Sequence, residues 1–104
     1  MGIGYSDEEA YKFLKENLKD DSVLMLHQPP YGILDTVKNG HAGNRGIKKA
    51  IDEKSPKVVM CGHVHEERGI LEQNGTLFFN PGPTKDGYYA IFNYDDMKVD
   101  LLKR

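Results

Sequence analysis

Apolar residues change their period repeatedly along the chain, and each change predicts an element. After Ser6-Asp7-Glu8-Glu9, a serine with a glutamate three places on, Tyr11, Leu14 and Leu18 follow at helical spacing, joined by Ala10 and Phe13. The spacing predicts a helix over residues 7–19. Val23-Leu24-Met25-Leu26 is instead a short continuous apolar run, the pattern of a strand buried on both faces. His27-Gln28-Pro29-Pro30-Tyr31-Gly32 must be loop, because its prolines exclude a central strand and push Gln28 away from helix. A polar, glycine-rich stretch covers residues 36–46. Ile47, Ala50 and Ile51 then mark one face of a second helix over residues 44–54, stopped by Pro56. Val58-Val59-Met60-Cys61 repeats the buried-strand pattern.

Strand, crossover helix and strand make a βαβ unit, expected to be parallel and right-handed. Beyond Cys61 the texture changes. Residues 69–72 and 76–80 flank Gln73-Asn74-Gly75, and Asn-Gly is a strong hairpin signal. Asn80-Pro81-Gly82-Pro83 is a turn, and residues 88–94 and 98–102 read as a last hairpin around Asp95-Asp96. The expected class is α/β: a parallel βαβ unit followed by four antiparallel strands in hairpins, in one domain over residues 1–104.

This topology draws attention to three histidines. His27 directly follows the first predicted strand, and His63 and His65 directly follow the second. In open α/β sheets a ligand site lies beyond the carboxyl ends of the strands, so residues 27 and 63 should meet at one sheet edge. Neutral imidazole is the commonest metal ligand. Gly62 relaxes the backbone at the strand end and lets the rings of His63 and His65 diverge toward adjacent ions. Two metals about 3.5–4 Å apart can clamp an attacking oxygen and a phosphoryl oxygen together. One Gly-His-x-His by itself is more often a pair of surface or core residues than a metal site, and it is the third histidine at the adjacent sheet end that brings the metal reading level.

Composition narrows the partners. Fourteen Lys and Arg against 16 Asp and Glu give a net charge of -2, with no electrostatic footprint for nucleic acid or an anionic membrane. A phosphate substrate is still allowed, because a metal supplies positive charge locally. Cys61 is the single cysteine, so an internal disulfide and a four-cysteine zinc site are excluded. Its apolar strand makes it an inert packed residue. No apolar stretch approaches the ~20 residues needed to span a bilayer. Met1-Gly2-Ile3-Gly4-Tyr5 lacks the basic head and apolar run of a signal peptide, so the cytoplasm is the expected location.

Cys61-Gly62-His63-Val64-His65-Glu66 resembles the terminal Gly-His-x-His motif of the calcineurin-like metallophosphoesterases. Leu24-Met25-Leu26-His27-Gln28-Pro29-Pro30 resembles their earlier apolar-strand–His–x–Pro–Pro motif, and Asn80-Pro81-Gly82 resembles the Asn-Pro-Gly turn that follows the next hairpin in many members. Order and spacing agree over nearly the whole chain from about Val23 onward. The resemblance implies half of a two-sheet α/β sandwich flanked by helices, namely its carboxy-terminal half. By position it implies that His27 and His63 bind the second metal and His65 the first. The reaction implied is hydrolysis of a phosphomonoester or phosphodiester by a metal-bound hydroxide. The complete site would hold two divalent ions, Mn, Fe, Zn or Ni.

The family's Asp-x-His, Gly-Asp-x-x-Asp or -Asn, and Gly-Asn-His-Asp or -Glu motifs do not occur in this sequence. The resemblance therefore assigns no catalytic residue to this chain: the bridging aspartate, the metal-binding asparagine and the histidine that assists the leaving group are all missing. Gly43-Asn44-Arg45 lacks that histidine and falls after His27. Without a bridging carboxylate, adjacent dications repel, so the three histidines hold at most one ion firmly. A half-fold also leaves a strand edge and an apolar face open. The expectation is a fragment or half-subunit completed by the missing amino-terminal half, by a second chain, or by homodimerisation. Two other readings are a non-catalytic metal-binding or interaction module that keeps the fold, and a single-zinc hydrolase with zinc on His27, His63, His65 and water.

The stretch Asn39-Gly40-His41-Ala42-Gly43-Asn44-Arg45-Gly46 resembles the family loop, often His-x-Gly-Ser, that runs into the crossover helix. On that resemblance His41, Gly43, Asn44 and Arg45 bind the phosphoester substrate, with amides at the helix start holding a phosphate oxygen. The other reading is a flexible loop with an Asn44 helix cap and a solvated Arg45. No Gly-Lys-Ser or Gly-Lys-Thr follows, so the stretch is not a P-loop. Glu66 either orders a metal-binding histidine from behind or is a surface charge. Asp35 reads as a solvated loop aspartate, and Tyr88 and Tyr89 pack or cap the hairpin sheet.

Overall fold

The computed structural model describes residues 6–38, 40–62 and 64–104, with His65 described by its backbone alone. The signal-peptide expectation concerns residues 1–5, and it lies outside the described residues, as does the metal-ligand expectation for His63.

Helix α1 (Asp7–Asn17) starts as the capping box predicts. Ser6 Oγ accepts from the Glu9 amide at 3.1 Å, and Glu9 Oε1 accepts from the Ser6 amide at 3.1 Å. It ends short of Lys19 because Leu18 turns extended while its amide still donates to the Leu14 carbonyl. Ala10, Leu14 and Leu18 form the buried stripe; Phe13, expected among them, is 64% exposed on the flank away from it. Helix α2 (Arg45–Lys54) is capped by Asn44 and stops at Ser55, where a φ of 46° leads into Pro56. It buries Ile47, Ala50 and Ile51. The two helices approach so closely at their amino ends that a Cβ on Gly46 would overlap the carbonyl oxygen of Asp7.

The strands are β1 (Val23–Met25), β2 (Thr36–Val37), β3 (Gly40–His41), β4 (Val58–Met60), β5 (Gly69–Gln73), β6 (Thr76–Asn80), β7 (Tyr88–Asn93) and β8 (Lys98–Lys103). The main sheet has the order β1-β4-β6-β5. As expected of the βαβ unit, β1 runs parallel to β4, with Val23, Leu24 and Met25 opposite Val58, Val59 and Met60. The four later strands pair antiparallel as two hairpins, as expected, and β6 in addition runs parallel to β4, pairing Val58 with Leu77 and Met60 with Phe79. The Asn74-Gly75 turn has φ values of 52° and 83°, the left-handed pair of a tight two-residue hairpin. It folds β5 to the outside and returns β6 against the free edge of β4. Strands β7 and β8 form a separate antiparallel pair, and β2 and β3 form a small ribbon inside the glycine-rich stretch where no strand was expected.

Leu24, Val59, Phe78 and Leu71 share one face of the sheet and join Leu14, Leu18, Ile33, Ile47 and Ile51 in the core beneath the helices. On the other face Phe92 of β7 stacks on Phe79 with centroids 6.1 Å apart, which makes the hairpin a second layer. That layer is incomplete. Met25 is 70% exposed and Val23 48%, so β1 is an edge strand with an open face, and the expectation of burial on both faces does not hold. A continuous apolar run records what a strand is suited to face, and among the described residues only the helix side of β1 is covered. Among the described residues no helix is long and apolar enough to cross a membrane.

Candidate functional site

The parallel pairing of β1 and β4 sets up the site. The Leu26 amide donates to the Met60 carbonyl at 2.7 Å, so both strands release the chain side by side. The backbones stay together one residue further: a Cβ built on Gly62 would lie 3.9 Å from the carbonyl oxygen of His27. His27 is exposed at this carboxyl edge. The Val64 amide turns back to the Gly62 carbonyl at 2.8 Å, and His65 opens a short 3-10 turn (His65–Glu67). The edge predicted from strand order therefore exists, with His27 on one loop and the Gly62 loop beside it. Among the described residues no three His, Cys, Asp or Glu side chains converge on one point.

Asn80 fixes the second loop. It is buried, its Nδ2 donates to the Val64 carbonyl at 2.8 Å, and its Oδ1 accepts from the Gly82 amide at 3.0 Å. The peptide between the two histidine positions is thus pinned by the last residue of β6. The Asn-Pro-Gly turn is visible in sequence, but this clamp is not, because its partner lies 16 residues away. Asn80→Ala is expected to leave the Val64 carbonyl and the Gly82 amide unpaired and to lower stability by roughly 2–4 kcal/mol. Urea unfolding checks it, with Asn80→Asp, which keeps only the acceptor, falling between the two.

The proline loop is tied to the start of α2. Pro29 and Pro30 are buried; the Asn44 amide donates to the Pro29 carbonyl at 3.0 Å, and the Tyr31 amide to the Asn44 carbonyl at 3.0 Å. A Cβ on Gly43 would overlap the Pro30 backbone, so this glycine permits the close approach. The amides proposed to hold phosphate are engaged within the chain. That of Gly43 donates to Asp35 at 3.0 Å, that of Arg45 to Asp7 at 3.2 Å, and that of Ile47 to the Asn44 side chain at 2.9 Å. Asn44 is a buried helix cap, and the Arg45 guanidinium lies over the Tyr31 ring at 4.4 Å. Glu66 is exposed, and the engaged acid is its neighbour Glu67, which accepts from the Thr36 amide at 3.0 Å.

Asp35 departs most from expectation. Instead of being solvated it is 1% exposed and accepts from the Gly32 amide at 2.8 Å, the Gly43 amide at 3.0 Å and His41 Nδ1 at 2.9 Å. A buried carboxylate requires such donors, and the chain supplies them from both sides of the loop. Cys61 is buried as expected. Burial, and after it the Asp35 charge, pushes its thiol up to about 12. It should therefore resist iodoacetamide at pH 8 in the native protein and react readily in urea. The folded thiol holds its proton more tightly than the unfolded one, so its contribution to stability is full at low pH and is lost as pH rises from 9.0 toward about 12.

Comparison with known proteins follows the same motifs. The signature of the metallophosphoesterase family, calcineurin superfamily, matches residues 5–103. The chain is 35% identical over 103 aligned positions to MJ1162 of Methanocaldococcus jannaschii, covering 90% of this chain and 44% of that protein. It is 35% identical over 68 positions to the UPF0046 protein K07C11.7 of Caenorhabditis elegans, covering 65% of this chain and 23% of that protein. One crystal structure superposes with a TM-score of 0.71 at 27% identity, over 92% of this chain and 38% of its own. TT1561 of Thermus thermophilus shares the fold, with a TM-score of 0.56 at 16% identity over 92% of this chain and 39% of its own. The chain thus spans less than half the length of the curated relatives it matches.

Proposed function

Because the chain belongs to the calcineurin superfamily of metallophosphoesterases, we propose that it is the carboxy-terminal half of a metal-dependent phosphoester hydrolase whose site is completed by further sequence or a second chain. The observation that carries this reading is the approach of the His27 and Gly62 loops side by side at the carboxyl edge of parallel strands. That edge is where an α/β sheet presents a ligand.

The donor set suits a borderline divalent cation such as Mn, Fe, Zn or Ni, since it is made of imidazoles from His27, His63 and His65. A bound metal lowers the pKa of water and neutralises charge on a phosphoryl oxygen. This chain's part is to hold the ligand loops in register: β1 and β4 align them, and Asn80 fixes the second. A carboxylate bridge would come from elsewhere, as the family's aspartate-bearing motifs do not occur in this sequence. The open face at Val23 and Met25, beside the unpaired edge of β1, is the surface on which the completing half would seat.

The test is to express the longer protein, or this chain with its completing partner, and assay p-nitrophenyl esters of phosphate with manganese and with chelator. Chelator-sensitive hydrolysis that is absent from the isolated 104-residue chain is expected. Equal turnover by the isolated chain would remove the need for a completing half, and no turnover by the completed protein would end the hydrolase reading.

A further inference from the structure

An open cleft lies between the His65–Glu67 turn and the start of β7. Its volume is about 570 Å³, and Glu66, Arg68, Pro83, Asp86 and Tyr88 line it. A volume of this order holds a sugar-sized group. Glu66 and Arg68 come from the turn that His65 opens, so one wall begins a single residue past a proposed metal ligand. The other wall descends from the Asn80-Pro81-Gly82 turn: Asp86 ends a second short 3-10 turn (Thr84–Asp86), and Tyr88 opens β7.

The chain holds both walls in place. Asn80 accepts from the Gly82 amide, just ahead of one wall, and donates to the Val64 carbonyl, just ahead of the other. Arg68 crosses between them. Its Nε donates to the Pro81 carbonyl at 3.2 Å, a terminal nitrogen reaches the Leu102 carbonyl at 3.5 Å, and its guanidinium lies 4.7 Å from the centre of the Tyr88 ring. The cleft is thus shaped before a ligand arrives, which keeps the ordering cost of binding low.

The lining selects the kind of ligand. Glu66 and Asp86 are exposed, and an ionised carboxylate only accepts hydrogen bonds. Arg68 directs its donors to backbone carbonyls, so a ligand must bring donors of its own. Charge narrows the choice. The two carboxylates are answered by Arg68 and by Lys103, whose ammonium lies 5.1 Å from the centre of the same tyrosine ring. An anion would face Glu66 and Asp86, and an ammonium group would meet the two cations at Tyr88. A neutral group carrying several hydroxyls satisfies both carboxylates, and its carbon skeleton can lie on Pro83 and Tyr88.

We propose that this cleft binds the alcohol portion of the phosphoester, with Glu66 and Asp86 as acceptors for its hydroxyls, and so selects esters of neutral polyols. The proposal rests on the hydrolase reading above: with the phosphoryl group at the carboxyl edge of β1 and β4, the alcohol portion extends past Glu66 into the cleft.

The test uses the completed protein with manganese. Ethyl, glyceryl, choline and glycerate esters of phosphate are compared, as monoesters and as methyl diesters, with a p-nitrophenyl ester as reference. These arms present no polar group, neutral hydroxyls, a cation and an anion. The glyceryl ester should exceed the other three in kcat/KM by about 10-fold, chiefly through a lower KM, because a site built for hydroxyls disfavours an alcohol without them. Asp86→Ala should bring the glyceryl-to-ethyl ratio near unity, and Asp86→Asn, which keeps one acceptor oxygen, should retain part of it. Asp96→Ala, exposed in the turn after β7, should keep the full ratio, and melting temperatures check that each variant is folded. Equal kcat/KM for the four esters, a preference for the choline or glycerate ester, or an undiminished ratio in Asp86→Ala would overturn the assignment while leaving the hydrolase reading intact. Failure of the wild type to hydrolyse any ester, the p-nitrophenyl one included, would end both.

Discussion

Replacing Gly46 with alanine will destabilise the chain by about 3 kcal/mol, enough to lower the melting temperature by more than ~10 °C. Helix propensity alone points the other way, because alanine in a helix is favoured over glycine by roughly 1 kcal/mol. Packing decides the sign. The added methyl would overlap the Asp7 carbonyl oxygen, and that oxygen is backbone, so no side-chain rotation relieves it. Asp7 cannot easily withdraw, as its carboxylate accepts from the Arg45 amide and it opens α1 directly after the Ser6 cap. Thermal and urea unfolding of Gly46→Ala beside Lys12→Ala, an exposed α1 control, measures the effect. A Gly46→Ala protein as stable as wild type would mean that the amino ends of the two helices do not meet as described.

His27→Ala should show the opposite profile. The side chain is exposed at the sheet edge, so unfolding should be little changed. Metal-dependent turnover of the completed protein should fall by more than ~100-fold, since groups that merely support a ligand already account for 10–100-fold. Bound metal per chain should fall with it. Retention of both metal and turnover would separate the carboxyl edge of β1 from the chemistry, and the proposed function would go with it.

What could be read from sequence was what depends on near neighbours. The Ser6–Glu9 capping box, the Asn44 cap on α2 and the Asn74-Gly75 turn each involve residues within a few positions, and each forms as its residues dictate. The meeting of the His27 and Gly62 loops was also legible, because parallel pairing of two apolar runs follows from the crossover helix between them.

Features that depend on where a finished piece docks were not legible. The hairpin was visible, yet nothing local to residues 69–80 says that β6 and not β5 takes the edge of β4. Two-residue strands such as β2 and β3 are too short to show a period. Asp35 reads as solvated because its surroundings are polar, and its burial arises only when donors from residues 32, 41 and 43 close around it. The open face of β1 was hidden by its own composition: Val23 and Met25 are apolar whether or not this chain supplies a cover.

The Asn80 clamp sets a schedule for biosynthesis. Val64 leaves the ribosome 16 residues before the side chain that will hold its carbonyl, and that side chain reaches it only once β6 has zipped into the sheet. Until then the Val64 carbonyl lacks its Asn80 donor, and the imidazoles of the proposed ligand set would not yet be gathered. If the proposed site binds metal, its loading would wait for a nearly finished polypeptide, and the choice among cellular cations would fall to the folded protein.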